Sequence, residues 1–250
     1  MSSTHSATRI MVHGGGGRMG VRVIALAREE ACEVVASCDR RAADGAGGVR
    51  GASVTGEPRL CALADAPDGV EVVVDFTSPS GALDALKWAV SRRIPLLVGT
   101  TGLDDGALRL MREGASRTAV LVAPNTSLGV AVLADAVARA ARRLGASYAC
   151  SIVEAHHDKK KDAPSGTAKR LASAARSGGG QLRDDQILAI RGGDVVGEHT
   201  VRFAGAGEYL EFTHRATSRD LFARGALRAA RWLRGRAPGW YTLEDTLDNG

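Results

Sequence analysis

The chain of 250 residues is poor in aromatic side chains, since Trp, Tyr and Phe together make up 4% of it. Proteins that bind single-stranded nucleic acid stack bases on such side chains. A nucleic-acid partner is therefore not expected, even though the formal net charge is +5. This modest excess of positive charge suits an anionic cofactor or a small anionic substrate equally well.

Cysteine is also scarce, and long apolar runs are missing. The cysteines form no C-x-x-C pair and have no spacing typical of a metal site. They are Cys32, Cys38, Cys61 and Cys150. Reduced, mostly buried thiols in a cytoplasmic protein are expected. No apolar run is long enough to cross a bilayer, and residues 1–8 lack the apolar core of a signal peptide, so no membrane association is expected.

Lysine is the third scarce residue, and its few copies are clustered. Four of the five lysines lie within residues 159–169, directly after His156 and His157. A lysine that is desolvated or close to other cations can donate a proton near neutral pH, whereas an arginine stays charged. A solvated charge run is the simpler interpretation of Lys159–Lys161, but the adjacent histidines and the segment that follows favour a site with a proton donor.

The segment after the lysines has the features of a helix N-terminus. Asp162 or Ser165 is suited to cap such a helix, and Pro164 to occupy its first turn. Gly166 and Thr167 then supply backbone N–H groups, which attract anions. The pattern predicts a pocket for a substrate that carries a carboxylate. A metal site is not expected, because adjacent histidines point to opposite sides of an extended chain and the lysines repel a cation.

A run of glycines joins an apolar strand to a helix near the start of the chain. The strand is expected over Arg9–His13 and the helix over Val21–Arg28. Two registers fit, G-x-G-x-x-G from Gly15 or G-x-x-G-x-x-G from Gly14. Either brings the backbone close to the pyrophosphate of a dinucleotide at the helix N-terminus.

An acidic residue follows the second expected strand, Glu33–Ser37. Asp39 stands at about the distance expected of the residue that binds the ribose hydroxyls of NAD. Arg40 and Arg41 come next and suit the 2′-phosphate of NADP, although a solvated surface position is an equal alternative for Arg41. The cofactors predicted are therefore NADH, NADPH or both.

Strands and helices continue to alternate up to about residue 122. The strands are expected over Val70–Phe76, Ile94–Val98 and Ala119–Val122, and the helices over Gly81–Val90 and from Asp104 or Asp105 to about Gly114. This alternation predicts an α/β domain with a doubly wound parallel sheet. Ligands of such sheets bind beyond the carboxyl ends of the strands, where the turn Gly99–Gly102 and the segment Ala123–Ser127 lie.

After residue 128 the alternation stops and strands cluster. A helix is expected over Leu128–Leu144, a strand before His156 and a helix over Thr167–Arg176. Further strands are expected over Ile187–Arg191, Gly197–Ala204 and Tyr209–His214, then a helix over Asp220–Leu233 and a short tail over Trp240–Asn249. The clustering predicts a second, α+β domain on a mixed or antiparallel sheet, whose open face or edge favours oligomerisation.

The motifs of the chain resemble those of the dihydrodipicolinate reductases, the 4-hydroxy-tetrahydrodipicolinate reductases of lysine and diaminopimelate biosynthesis. The residues that carry the resemblance are Gly14–Gly20, Gly99–Gly102, Ala123–Asn125, Glu154–His157, Lys160, Asp162–Ala168 and Gly197–Thr200. The resemblance implies a dinucleotide-binding domain over residues 1–125 and 219–250. It implies a substrate-binding and tetramerisation domain over residues 126–218. The implied reaction is reduction of 4-hydroxy-tetrahydrodipicolinate, an unsaturated cyclic imine dicarboxylate, by NAD(P)H with loss of water.

By the same resemblance His156 and Lys160 match the catalytic histidine and the proton-donating lysine of the family. Substrate contacts are implied for His157, Ser165, Gly166 and Thr167. Cofactor contacts are expected for Gly14, Gly15, Gly16, Gly17, Arg18, Met19, Asp39, Arg40, Gly99, Thr100, Thr101, Ala123, Pro124, Asn125 and Thr126.

Two residues depart from the family pattern. Thr126 stands where the family has an aromatic residue, and His13, directly before the glycines, replaces a small one. Two other functions stay open from the sequence. One is a related reductase of another cyclic imine or carbonyl acid, and the other is a nicotinamide-binding sensor without catalytic activity.

Overall fold

The computed structural model describes residues 6–39 and 59–247, and these form two compact units. One unit takes in the chain up to Thr126 and again from Phe222, and the other is Ser127–Leu221. The assignment of dinucleotide binding to the first unit and of substrate binding to the second stays a prediction.

A parallel sheet forms the centre of the first unit. Its strands are β1 (Thr8–His13), β2 (Cys32–Cys38), β3 (Arg59–Cys61), β4 (Val72–Asp75), β5 (Leu96–Val98), β6 (Ala119–Val122) and β11 (Gly239–Tyr241). The helices of this unit are α1 (Arg18–Leu26), α2 (Pro79–Arg92), α3 (Asp105–Ala115) and α6 (Asp220–Leu233). Strands β1, β4 and β5 are buried almost throughout, as expected of strands covered on both faces.

The strand order is β3-β2-β1-β4-β5-β6-β11, and every neighbouring pair is parallel. The order reverses between β1 and β4, so the carboxyl ends of these two strands flank the crevice in which doubly wound folds bind ligands. The last strand corrects the prediction for the C-terminal tail, because residues 239–241 pair with β6 instead of forming an isolated tail.

Side chains close the helix ends where the sequence places capping residues. The Ser78 hydroxyl accepts from the amide of Gly81 at 3.3 Å and begins α2. Of the two candidates for the third helix, Asp104 is the cap and accepts from the Ala107 amide at 2.7 Å. Each cap satisfies an amide that the first turn leaves without a helical partner.

The second unit is built on a mixed sheet in the order β10-β9-β7-β8. The strands are β7 (Ala149–His156), β8 (Ile187–Arg191), β9 (Gly197–Gly205) and β10 (Glu208–Ala216), and the helices are α4 (Leu128–Leu144) and α5 (Gly166–Ser177). Strand β7 is parallel to β8 and antiparallel to β9, and β9 is antiparallel to β10. The predicted mixed sheet is thus confirmed.

Helices cover only one face of this mixed sheet. Leu133 and Val137 of α4 and Leu171 of α5 form a core with the inward residues Ile152 and Phe203 of the sheet. The apolar residues on the opposite face are exposed, and they are Val153, Leu188, Ile190 and Tyr209. Strand β7 therefore alternates between a buried and an open face, whereas its apolar run Cys150–Val153 had indicated burial.

No helix in residues 6–39 and 59–247 combines the length and the apolar character that crossing a membrane requires.

Candidate active site

The glycine turn between β1 and α1 is packed too tightly for side chains. Gly14 has φ of +87°, and a Cβ there would lie 2.5 Å from the carbonyl oxygen of Phe76. A Cβ on Gly20 would lie 2.2 Å from the carbonyl oxygen of Gly14. Helix α1 then begins at Arg18 without a side-chain cap. Backbone amides at an uncapped helix start, next to a close turn, form a cradle for a phosphate group.

The predicted ribose-binding residue lies beside this turn. Asp39 directly follows β2, and its Oδ2 accepts from the amide of Gly16 at 3.2 Å. The adjacent Gly15 packs on Ser37, because a Cβ on Gly15 would lie 1.9 Å from the Ser37 hydroxyl. Arg40, the predicted 2′-phosphate contact, lies outside the described residues.

Buried polar groups join the carboxyl ends of β1, β4 and β5. Asp75 is fully buried at the end of β4, and its Oδ1 lies 2.9 Å from Nδ1 of His13. The hydroxyls of Thr77 and Thr100 donate to the same carboxylate at 2.7 and 2.5 Å. Thr100 was predicted to contact the cofactor, and its side chain is committed to Asp75, whereas the neighbouring Thr101 is exposed.

The segment after β6 also carries predicted cofactor contacts. Ala123 is buried and its amide donates to the Val98 carbonyl at 2.9 Å, whereas Pro124 is exposed. Thr126 is buried, and its hydroxyl donates to the carbonyl of Phe222 at 2.6 Å. The departure from the family pattern at this position therefore gives a contact inside the unit, and its cofactor role stays a prediction.

Two polar side chains, Glu154 and His156, share the inward face at the end of β7. Glu154 and His156 are two residues apart, so the pleat directs both to the same side of the sheet. Both are buried, and a short hydrogen bond joins Nδ1 of His156 to the carboxylate of Glu154. Register brings two further residues alongside, since Arg191 of β8 pairs with His156 and His199 of β9 pairs with Glu154.

The Glu154 carboxylate is held by charged and neutral donors. The Arg191 guanidinium donates to both of its oxygens, at 2.9 and 3.0 Å, and the Ser165 amide donates to Oε1 at 3.1 Å. Burial acts to raise the pKa of Glu154, but the hydrogen bonds from Arg191, His156 and Ser165 outweigh it and leave the pKa below its ordinary value. Glu154 is therefore ionised at neutral pH.

Both histidines of this cluster are neutral at neutral pH. Burial is the main cause that lowers the pKa of His156, and it outweighs the opposing effect of the Glu154 carboxylate. Burial, with the nearby His156, lowers the pKa of His199 to about 4. The two rings meet edge to face, with centroids 5.1 Å apart. His199 also lies 3.1 Å from the Ser165 hydroxyl through Nε2.

The loop that carries the lysines is tied back to the end of β8. Arg191 donates to the carbonyl oxygens of Lys160 and Asp162, at 3.3 and 2.7 Å. The Lys160 ammonium lies 2.8 Å from the Asp162 carboxylate, which lowers the pKa of Asp162. Lys159 and Lys161 are exposed, which fits a solvated charge run at those two positions. Lys160 is the partly buried member of the triplet.

Helix α5 starts at this loop, and Ser165 is its cap. The Ser165 hydroxyl accepts from the Ala168 amide at 3.1 Å. Pro164 precedes the cap, which corrects the prediction that it occupies the first turn. The hydroxyl and the amide of Ser165 both have partners inside the unit. Of the two residues that follow, Gly166 is exposed and Thr167 is half-buried.

Family models of dihydrodipicolinate reductase match both parts of the chain. The model of its N-terminus matches residues 8–126, and the model of its C-terminus matches residues 129–247. The chain belongs to the dihydrodipicolinate reductase family.

Relatives in this family are similar over nearly their whole length. The 4-hydroxy-tetrahydrodipicolinate reductase of Anaeromyxobacter dehalogenans strain 2CP-C is 40% identical over 263 residues, covering 96% of this chain and 97% of that protein. The enzyme of the same name from Xanthomonas euvesicatoria pv. vesicatoria strain 85-10 is 42% identical over 250 residues, covering 98% and 99%. The family predicted from the motifs is confirmed, and with it the assignment as a nicotinamide-dependent oxidoreductase.

A solved structure shares the fold of this family member. Dipicolinate-bound dihydrodipicolinate reductase from Paenisporosarcina sp. TG-14 matches with a TM-score of 0.77 at 20% identity, covering 96% of this chain and 99% of that one. The predicted fold class, a doubly wound parallel sheet with a separate mixed sheet, is confirmed.

Three buried side chains of this reductase carry donor atoms of the kind that bind metal ions. Glu154, His156 and His199 are buried, and one ligand atom from each lies within 4.8 Å of the others. Both oxygens of Glu154 are, however, already bound by the Arg191 guanidinium. A cation would have to displace this positive group, so the donor set does not fit a resident metal.

The sequence did not identify Glu154, Arg191 and His199 as parts of the reductase site. Glu154 carried a usable signal, since a carboxylate two residues before a histidine on a strand faces the same side. His199 lies in the segment Gly197–Thr200, which carries the family resemblance, but no pattern assigned it a role. Arg191 carried no signal, because its approach depends on the register between strands far apart in sequence. His157, a predicted substrate contact, is half-buried, and its Nδ1 has no hydrogen-bond partner in the part of the chain that the structure describes.

Proposed function

We propose that the chain reduces 4-hydroxy-tetrahydrodipicolinate to tetrahydrodipicolinate with loss of water, in lysine and diaminopimelate biosynthesis, and that His156 and Lys160 act at the reacting atoms. The observation that carries this proposal is the cluster at the end of β7. There a buried histidine, a partly buried lysine and a helix N-terminus converge in a member of the dihydrodipicolinate reductase family.

The glycine turn of the first unit fits a nicotinamide dinucleotide. The close packing at Gly14 and Gly20, where a Cβ would meet backbone carbonyls, supports a tight turn that leads into the first amides of α1, which are suited to the pyrophosphate. Asp39 lies beside the turn and is suited to bind the ribose hydroxyls of NADH. We assign the 2′-phosphate of NADPH to Arg40, so both reduced cofactors are proposed as hydride sources.

Substrate carboxylates are proposed to bind at the start of α5. Gly166 and Thr167 supply backbone amides in the first turn, where the helix dipole favours an anion. His157 lies just beyond β7 and is a further candidate donor to the substrate. The likeness to a reductase solved with bound dipicolinate, a ring dicarboxylate, supports this class of ligand.

Proton transfer is proposed for the histidine and the lysine. A hydride supplied by the cofactor leaves negative charge on the substrate ring, and a nearby cation stabilises that charge and then donates a proton. Lys160 is the partly buried cation at this place, and its pairing with Asp162 shows that its ammonium reaches an anion beside the helix start. The neutral His156 is a hydrogen-bonding partner for the same ring.

The exposed apolar face of the mixed sheet supports a homotetramer as the assembly. Val153, Leu188, Ile190 and Tyr209 lie on the face that no helix of the unit covers. Such a face is stabilised by pairing with a second copy. Sedimentation equilibrium tests this proposal, because a monomer at micromolar concentration would contradict the assembly. A cytoplasmic location without a membrane partner is proposed as well.

A coupled assay tests the proposed function directly. Dihydrodipicolinate synthase generates the unstable substrate, and loss of reduced-nicotinamide absorbance is followed with NADH and NADPH separately. Turnover is expected with at least one of the two. Binding of cofactor without turnover would contradict the proposed reaction and favour a related reductase or a sensor.

A further inference from the structure

We propose that Glu154 and Arg191 are positioning residues, which hold His156 in one tautomer and at the same time fix the loop that carries Lys160. This inference rests on the proposed function of His156 and Lys160. It goes beyond that function, because it assigns the positions of both His156 and Lys160 to one ion pair, that of Glu154 and Arg191.

The first half of the proposal follows from the hydrogen bond between Glu154 and His156. An ionised carboxylate can only accept, so Nδ1 of His156 carries the proton. The imidazole is neutral, and Nε2 is therefore the unprotonated nitrogen that is left to interact with a ligand. Nε2 faces the backbone of Gly197, where an added Cβ would lie 3.0 Å away, so the absence of a side chain at residue 197 leaves space beside this nitrogen.

The guanidinium of Arg191 connects Glu154 to the loop that carries Lys160. Arg191 binds both oxygens of Glu154 and, from the same planar group, the carbonyls of Lys160 and Asp162. A lysine at this position would keep the positive charge but not the fixed fork of donors. The Glu154 carboxylate thus remains ionised in a buried position, and the loop on which Lys160 lies is held at the same point.

Charged and titratable groups approach His156 from every neighbouring element. Glu154 lies on the same strand, Arg191 on β8, His199 on β9 and Lys160 on the following loop. Glu154 raises the pKa of His156, whereas burial, Lys160 and Arg191 lower it. Removing the carboxylate alone is expected to lower the pKa of His156 further and to release the constraint on its tautomer.

The tautomer is measurable on the wild-type protein without any substrate. Histidine labelled with ¹⁵N reports protonation at each ring nitrogen, and the signals of His156 are identified by their loss in His156→Asn. The expected result for the wild type at neutral pH is a proton on Nδ1. A proton on Nε2 of His156 would overturn the proposal, and His156→Asn is needed only to identify the signals.

Glu154→Gln then tests the contribution of the carboxylate. The amide can donate or accept, so the two tautomers of His156 are expected to mix, and kcat is expected to fall roughly 10- to 100-fold. KM for the reduced cofactor is expected to stay unchanged, because the glycine turn is untouched. An unchanged tautomer together with an unchanged kcat would overturn the role of Glu154.

Arg191→Lys tests the fork, with Arg176→Lys as its matched control. Arg176 also binds one carboxylate, that of Asp184 at 2.6 Å, and one backbone carbonyl, that of Leu182 at 3.0 Å. It lies ten residues along α5 from Gly166, which is about 15 Å of helix. Arg191→Lys is expected to lower kcat about 10-fold, and Arg176→Lys to leave it unchanged. Equal losses in both variants would overturn a positioning role for Arg191.

The two kinds of measurement separate this inference from the function on which it rests. No turnover in the wild type, with the proton of His156 found on Nδ1 and mixed in Glu154→Gln, would contradict the proposed reaction and keep the role of Glu154. Turnover in the wild type with the proton on Nε2 would keep the reaction and overturn the positioning role.

Discussion

Each unit of the molecule contains a buried histidine that is paired through Nδ1 with a fully buried carboxylate, His13 with Asp75 and His156 with Glu154. The surroundings of the two pairs differ. Two threonine hydroxyls complete the coordination of Asp75, whereas a guanidinium binds Glu154 and continues to the lysine loop. We infer that the first pair serves the packing of its unit, whereas the second pair supports the proposed proton transfer, because a cation that binds Glu154 also holds the loop of Lys160.

The largest expected effect comes from replacing Lys160, the lysine next to the pair of His156 and Glu154. Lys160→Ala removes the proposed proton donor, so kcat is expected to fall by about 10² to 10⁴ while the affinity for NADH stays the same. The coupled assay and a fluorescence titration with NADH measure the two quantities, and Lys161→Ala is the matched control at an exposed position. Parallel losses in turnover and NADH affinity would assign Lys160 to the cofactor instead.

The next effect is a change in the free energy of unfolding with pH, and it arises from His199 in the second unit. His199 has a folded pKa of about 4 against an ordinary value of 6.5, so the unfolded chain binds more protons between these values. The free energy of unfolding is therefore expected to be complete above pH 6.5 and to fall by up to about 3 kcal/mol as the pH decreases to about 4.

Urea unfolding at several pH values measures this loss, and His199→Asn is expected to remove most of it between pH 6.5 and 4. Glu154 affects the free energy of unfolding in a lower pH range. Its folded pKa is lowered, so its stabilisation is present above the ordinary value of 4.5 and is lost as the pH falls through the folded value. The same pH slope in wild type and His199→Asn would contradict the assignment to His199.

A smaller effect is expected at the first pair. His13→Ala takes one hydrogen-bond partner from the buried Asp75, which is expected to lower the free energy of unfolding by about 1 to 3 kcal/mol. Turnover per folded molecule is expected to fall far less than in His156→Ala. A loss of kcat in His13→Ala as large as in His156→Ala would break the distinction between the two pairs.

The smallest effect concerns cofactor choice beside the glycine turn. Asp39→Ala removes the proposed acceptor for the ribose hydroxyls, so KM for NADH is expected to rise about 10-fold and KM for NADPH less. Initial rates with each cofactor measure the ratio. An equal change for both cofactors would show that Asp39 supports the turn through Gly16 and does not contact the ribose.

Much of the secondary structure was accessible from the sequence. The helices over 128–144 and 220–233 and the strand over 119–122 have the predicted bounds, because apolar period and capping residues agree there. The tail was misjudged for a physical reason. Residues 239–241 form a strand too short to show a period, and only the free edge of β6 gives it a partner.

The candidate site was accessible in part. His156 and Lys160 are brought together as the motif suggested, since the motif is local in sequence. Arg191 stands 37 residues from Glu154, and only the pairing of β7 with β8 brings it there. Ser165 is the predicted helix cap, but the sequence did not show its contact with His199, which is 34 residues away.

The late return of the chain to the first unit has a consequence for synthesis on the ribosome. The mixed sheet and its two helices come from one continuous stretch of chain, so this unit can complete its core as soon as residue 221 has emerged. The parallel sheet still lacks α6 and β11 at that moment. The unit with the parallel sheet is therefore the first to begin translation and the last to be completed. The unit with the mixed sheet, translated in between, can fold before it.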